Sequence, residues 1–228
     1  MENSTIKYKK RFSDVLLYVI ISPTLVRKNG GNILQEVIRG GADAVQLREK
    51  TMPDNEFLAI AKDFREITGQ TNTLFIVNDR AKIAGKVNAD GLHIGQTDMN
   101  INNARKIIGN DKIIGRSTHN IFQARLAEQE GADYISVGPL FYTATKSHEP
   151  PVGLRYLQQV RQEISLPFVV IGGITANNAA EIIQAGGNRI AICSAIICSE
   201  NITQATRTLK DLLVKNNPFS GQEKKLPL

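Results

Sequence analysis

Cysteine is scarce in this chain. Among 228 residues only Cys193 and Cys198 occur, and their spacing forms neither a CxxC pair nor a metal-ligand cluster. That excludes a disulfide framework, and buried, reduced thiols in a cytoplasmic protein are expected. Long apolar runs are missing too. No stretch of about 18 uncharged apolar residues appears, and Val15 to Ile21 is too short and too β-rich to cross a bilayer, so no membrane partner is expected. Met1 to Arg11 is polar and basic without a following apolar segment and cleavage site, so it does not read as a secretory signal. Aromatic residues are few where nucleic acid would need them. The net charge of +6 is concentrated in Lys7-Tyr8-Lys9-Lys10-Arg11 and Lys224-Lys225, where Tyr8 is the one interleaved ring. One ring is a poor stacking platform, and such runs are usually solvated tails. A nucleic-acid-binding barrel would bind with a steep salt dependence and make no product. Nucleic acid is therefore not an expected partner.

What is present is ordinary globular composition, 42% hydrophobic and 22% charged, with room for one large domain. Short β-branched or apolar runs recur at Val15 to Ile21, Ala44 to Leu47, Leu74 to Val77, Gly91 to Ile94, Ile113 to Gly115, Tyr134 to Val137, Phe168 to Ile171 and Ile190 to Cys193. Between them, apolar residues keep helical spacing, as in Ile33, Val37 and Ile38, or Phe57, Ile60, Ala61 and Phe64. A small phrase repeats before every second run: Gly41-Ala42-Asp43-Ala44, Asn88-Ala89-Asp90-Gly91, Gly131-Ala132-Asp133-Tyr134 and Gly186-Gly187-Asn188-Arg189. Glycine, and less readily asparagine, tolerates the left-handed backbone that ends a helix, so each phrase marks a helix stop followed by a strand start. Alternation of this kind favours parallel strands with right-handed crossovers. The fold expected is α/β, a single (β/α)8 TIM barrel, with an open doubly wound sheet as the structural alternative. Residues 1–14 read as a polar leader, 15–215 as the barrel, and 216–228 as a flexible tail.

In such a barrel the chemistry collects at the C-terminal ends of the strands. After the second strand, Gln46-Leu47-Arg48-Glu49-Lys50 alternates so that Gln46, Arg48 and Lys50 share one side. A guanidinium forks onto phosphate oxygens and an ammonium adds a point charge, so this end suits a pyrophosphate; a surface charge cluster is the plainer alternative. Asp79 follows the third strand and Asp98 the fourth. Mg²⁺ commonly takes one or two carboxylates and completes its shell with water and phosphate. Helix capping is the other role open to either carboxylate. The sixth strand leads into Gly138 to Pro151, a long insertion carrying Thr143, Thr145 and Lys146, which is either a lid or a passive loop. Ile171-Gly172-Gly173-Ile174-Thr175 and Cys193-Ser194-Ala195 follow the last two strands, the usual place for a phosphate; a tight turn would equally explain the glycines. His93, His119 and His148 lack ligand spacing to one another and are expected to be structural or solvent-facing, His119 being the one nearest a strand end.

Taken together, Gln46 to Lys50, Asn78-Asp79, His93-Ile94-Gly95-Gln96 with Asp98, Ser117, Gly138 to Lys146, Ile171 to Thr175 and Cys193-Ser194 closely resemble the thiamine phosphate synthase family, from about residue 15 to 215. The resemblance implies a transferase of thiamine biosynthesis that couples two small phosphorylated heterocycles and releases pyrophosphate. It implies that Gln46, Leu47, Arg48, Glu49, Lys50, Asn78, Ser117 and Lys146 bind the pyrimidine pyrophosphate, with Arg48, Lys50 and Lys146 acting in catalysis. It further implies that Thr143, Ala144, Thr145, Gly173, Cys193 and Ser194 bind the thiazole phosphate, and that Asp79 and Asp98 hold Mg²⁺. Cys193 would contribute backbone atoms, its side chain packing. Tyr142 stands where many relatives carry proline. A thiazole tautomerase relative would need a histidine after strand six, where Pro139 stands. The oligomeric state is left open.

Overall fold

The computed structural model describes residues 12–26, 30–143 and 150–216. Eight parallel strands close on themselves in chain order: β1 Leu17–Ile21, β2 Ala44–Leu47, β3 Leu74–Asn78, β4 Gly91–Ile94, β5 Ile113–Thr118, β6 Tyr134–Val137, β7 Phe168–Ile171 and β8 Ile190–Ile192, with β8 pairing back to β1. Helices α1 Gly30–Arg39, α2 Asp54–Gly69, α3 Ala81–Lys86, α4 Ile101–Ile108, α5 Ile121–Gln129, α6 Gly153–Glu163 and α7 Ala179–Gln184 follow β1 to β7 in turn; short α8 Ser194–Ile197 and then α9 Ile202–Lys215 follow β8. The expected barrel is present, and closure removes the open-sheet alternative along with its edges.

Each strand is buried on both faces, which is why the runs read as continuous apolar segments rather than alternating ones. Along β1, Leu17, Val19 and Ile21 face the helices and pack with residues such as Ile33 and Phe57. Tyr18 and Ile20 face inward, where Ala44, Leu74, Ile76, Ile113 and Val169 fill the barrel. Phe12 and Val15 join this inner layer and are buried. The barrel therefore begins inside the segment assigned to a polar leader, whose last residues close the floor. At the other end Asn216 caps α9, its N–H donating to the Leu212 carbonyl, so it too belongs to the fold; residues 217–228 lie outside the described range.

The repeated phrase does two jobs. Gly41, Asn88, Gly131 and Gly186 all take positive φ, at 95°, 52°, 84° and 97°, as their helix-stop role requires. The aspartates then cap the preceding strand from its lower end. Asp43 Oδ2 accepts from the N–H groups of Leu16 and Leu17, Asp90 Oδ2 from Phe75, and Asp133 Oδ2 from Ile114, at 2.8 to 2.9 Å. A helix cation pairs with each: Lys210 with Asp43, Arg65 with Asp90 and Arg105 with Asp133. A carboxylate that accepts from backbone N–H and from a cation satisfies donors that would otherwise be stranded at the barrel floor.

Strand five is longer than its apolar run. The sequence suggests an end at Gly115, yet β5 continues through Arg116-Ser117-Thr118, paired with Ile94 on one side and with Ser136 and Val137 on the other. Ser117 faces the cavity, while Thr118 is buried with its hydroxyl donating to the Ser136 carbonyl and accepting from the Tyr156 hydroxyl, so polarity there does not signal a loop. For the same reason β3 runs on through Asn78. β1 begins at Leu17 instead of Val15, and β8 ends at Ile192, one residue before Cys193.

Candidate active site

At the upper rim lies a cavity of about 460 Å³. Of the predicted residues, Gln46, Arg48, Lys50, Asn78, Asp98 and Ser117 line one part of it, and Thr143, Gly173, Cys193 and Ser194 another. The alternation read from the sequence holds after β2. Leu47 turns outward into the core beneath the helices. Glu49 also turns away and accepts from the Ser22 hydroxyl at 2.9 Å and the Thr24 hydroxyl at 2.5 Å, tying down the loop after β1. Neither side chain reaches the cavity, so any part these two have in binding would be through the backbone. Ala144, Thr145 and Lys146 lie outside the described residues, as does His148.

The acidic pair is joined by a cation. Lys50 Nζ stands 2.6 Å from Asp79 Oδ2 and 3.6 Å from Asp98 Oδ1, so both carboxylates reach one point beside the cavity. Capping explains neither position: α3 is entered from Arg80 without a side-chain cap, and α4 is capped by Asn100. Asp98 Oδ2 accepts from the Gly95 N–H at 2.7 Å, and Asp79 Oδ2 accepts from the Asn78 amide at 2.8 Å. Asp79 also sits at φ 50°, a left-handed conformation rare outside glycine and held here by its N–H donating to the His93 carbonyl at 2.8 Å. Such strain tends to persist where position matters. Among the described residues no group of three or more His, Cys, Asp or Glu side chains converges to hold a metal alone. Two carboxylates meeting at a single ammonium instead fit a hard cation whose shell a substrate phosphate would complete.

Arg80 went unassigned in the sequence reading and proves to be the organiser of the loop after β2. Its guanidinium donates to the carbonyls of Glu49 at 2.9 Å and Met52 at 2.6 Å, pairs with Asp54, and lies 4.4 Å from the Phe57 ring centroid. It fixes the backbone that presents Lys50. Adjacency to Asp79 was the available signal.

On the far side of the cavity the two glycines take φ 104° and 65°. A Cβ at Gly172 would come within 2.4 Å of Pro139, and one at Gly173 within 2.5 Å of the Tyr142 carbonyl. Bare backbone here first admits the loop after β6, which bonds to β7 through Leu140 N–H to Ile171 O and Phe141 N–H to Gly172 O. The close approach of that loop accounts for both glycines without a ligand, as the tight-turn alternative allowed. His119 lines the cavity and bonds through Nδ1 to the Gly138 carbonyl at 2.6 Å.

Neither thiol is fully buried as the sequence suggests: Cys198 is exposed and Cys193 half-buried, where burial pushes the thiol up to about 12. A thiol so raised stays protonated near neutrality and is a poor nucleophile. Iodoacetamide at about pH 8 should label exposed Cys198 in preference to Cys193. Cys193→Ala should leave the rate little changed, since the protonated thiol offers no charge and the family resemblance gives this residue only backbone contacts; peptide mapping and a rate assay check both.

Of the two roles expected for His93, structural or solvent-facing, the structure supports the first: it is buried near the centre of a polar row inside the barrel, with Tyr18 and Tyr134 as further members. The signal was its inward parity on β4, between outward-facing Leu92 and Ile94.

Residues 17–196 match the family model described as thiamine monophosphate synthase. The chain is 40% identical over 200 residues to the thiamine-phosphate synthase of Clostridium novyi, a match covering 86% of this chain and 97% of that one. It is 42% identical over 204 residues to that of Moorella thermoacetica, covering 87% and 96%. Among solved structures, the thiamine phosphate pyrophosphorylase from Pyrococcus furiosus superposes with a TM-score of 0.83 at 33% identity, covering 92% of this chain and 98% of that one.

Proposed function

This chain belongs to the thiamine monophosphate synthase family, and on that footing we propose that it couples 4-amino-2-methyl-5-(diphosphooxymethyl)pyrimidine to 4-methyl-5-(2-phosphoethyl)thiazole, giving thiamine phosphate and pyrophosphate. The observation that carries the reading is the meeting of Lys50 with Asp79 and Asp98 beside a cavity that Arg48 also lines and whose other side is lined by Gly173 and Ser194. One side suits a pyrophosphate and the other a monophosphate.

The chemistry needs no protein nucleophile. The bond from the pyrimidine methylene carbon to the pyrophosphate oxygen breaks, the electron pair leaves with pyrophosphate, and the aminopyrimidine ring spreads the positive charge. The thiazole nitrogen lone pair then forms the new carbon–nitrogen bond. Arg48 and Lys50 offset the negative charge that grows on the leaving group, an electrostatic role worth about 2.7 to 4 kcal/mol for a well-placed donor. Lys146, carried over from the family pattern, would add a third cation. Thr143, with Ala144 and Thr145 by the same resemblance, would help hold the thiazole phosphate beside Gly173, Cys193 and Ser194. Asp79 and Asp98 are the residues that would hold Mg²⁺, whose contribution when bound is to neutralise phosphate charge.

The test is turnover with both heterocycles, with Mg²⁺ and after chelation. Thiamine phosphate and pyrophosphate in equal amounts, lost on chelation and restored by Mg²⁺, are expected. Full product formation without metal would remove the carboxylate assignment, and no product under any condition would remove the reading.

A further inference from the structure

The barrel interior holds a row of hydrogen bonds running from Gln46 on β2 to Ser117 on β5. Gln46 Nε2 donates to the Tyr18 hydroxyl at 2.8 Å, the Tyr18 and Tyr134 hydroxyls are 3.1 Å apart, Tyr134 is 2.9 Å from His93 Nδ1, and His93 Nε2 is 3.0 Å from Ser117 Oγ. Tyr134 spans β5 to do this. Residues His93, Gly115 and Tyr134 lie at one level of the sheet, and a Cβ on Gly115 would fall 2.0 Å from the Tyr134 ring, so only glycine lets the hydroxyl reach β4. Phe12 stacks on the same ring from below at 4.2 Å between centroids.

The row has a direction. A primary amide nitrogen only donates, so the Tyr18 oxygen accepts from Gln46 and its single proton is free to point at Tyr134. Burial pushes both phenols well above their ordinary value, so each keeps one proton. Tyr134, having accepted from Tyr18, passes its own proton's direction to His93 Nδ1; the imidazole then carries hydrogen on Nε2 and donates to Ser117. With its oxygen occupied as acceptor, the Ser117 hydroxyl donates outward, and Ser117 lines the cavity.

We propose that Tyr134 is a positioning residue for the coupling reaction: its hydroxyl holds His93 as the Nε2–H tautomer and thereby commits Ser117 to donate into the cavity. Tyr134 acts through His93 and Ser117 without itself lining the cavity. The kinetic part of this rests on the proposed pyrimidine site; the tautomer does not.

Two measurements test it on the full chain. In protein labelled with ¹⁵N-histidine and free of substrate, the resonance lost in His93→Gln should show a protonated Nε2 and a bare Nδ1; a proton on Nδ1 would overturn the proposal even if turnover is normal. Tyr134→Phe keeps the ring and its stacking on Phe12. It should raise KM for the pyrimidine pyrophosphate about tenfold, as loss of one oriented hydrogen bond does, and leave KM for the thiazole phosphate unchanged. Combined with Ser117→Ala it should be no worse than Ser117→Ala alone, because both changes cut one chain. Additive losses, or equal shifts in both KM values, would refute a positioning role. Should Tyr134→Phe fold poorly, the wild-type tautomer still decides. A chain with the expected tautomer but no turnover would sink the substrate reading and leave the hydrogen-bond order standing.

Discussion

Asp79→Asn should lower kcat about a hundredfold to a thousandfold, the loss expected when the carboxylate that holds Lys50, and would hold Mg²⁺, against a departing anion loses its charge, while leaving the thermal midpoint nearly unchanged. Asparagine is the informative replacement. At φ 50° the residue is left-handed, a region that Asn and Asp tolerate and Ala does not, so Asp79→Ala would mix a backbone penalty with the loss of charge. The amide keeps shape and removes the negative charge that Lys50 meets and that Mg²⁺ would use. Stability should barely respond, because Lys50 is half exposed and such pairs contribute about 0 to 1 kcal/mol. Rates at saturating substrate and Mg²⁺ beside a thermal melt would check this, and near-normal turnover would take Asp79 out of the mechanism.

The mirror-image result is expected at the floor. Asp133→Ala should cost about 3 to 5 kcal/mol, because it leaves the mostly buried Arg105 without its carboxylate and strands the Ile114 N–H. For a chain of this size each kcal/mol moves the midpoint by about 2 to 4 °C, so a fall on the order of 10 °C should appear in calorimetry. Turnover per folded molecule should hold at low temperature. Asp133→Asn should recover part of the loss by accepting from the same N–H, whereas equal melts for wild type and Asp133→Ala would mean the cap contributes nothing.

These two aspartates also mark where sequence reading succeeds and where it thins. The strands and helix stops were legible because each rests on local chemistry: burial on both faces makes short apolar runs, and a left-handed stop selects Gly or Asn. The Gln46, Arg48 and Lys50 side was legible because strand alternation is geometric. Asp79 and Asp98 could be paired only by assuming a common rim, since their meeting point is set by Lys50, in the loop after β2. What stayed hidden was contact across the barrel. Tyr18 and Tyr134 are 116 positions apart and touch through hydroxyls, and nothing local in either run announces this. Arg116, Ser117 and Thr118 misled in the opposite sense, since a polar strand end looks like a loop until its partners on β4 and β6 are known.

Phe12 bears on how the molecule can be handled. The family match begins at residue 17, and a cloning boundary chosen there would discard both Phe12 and Val15. The Tyr134 ring would then meet water from beneath, and fluorescent dyes that seek apolar surface should find the underside of such a shortened protein. A purification handle is better joined upstream of Phe12 than substituted for it.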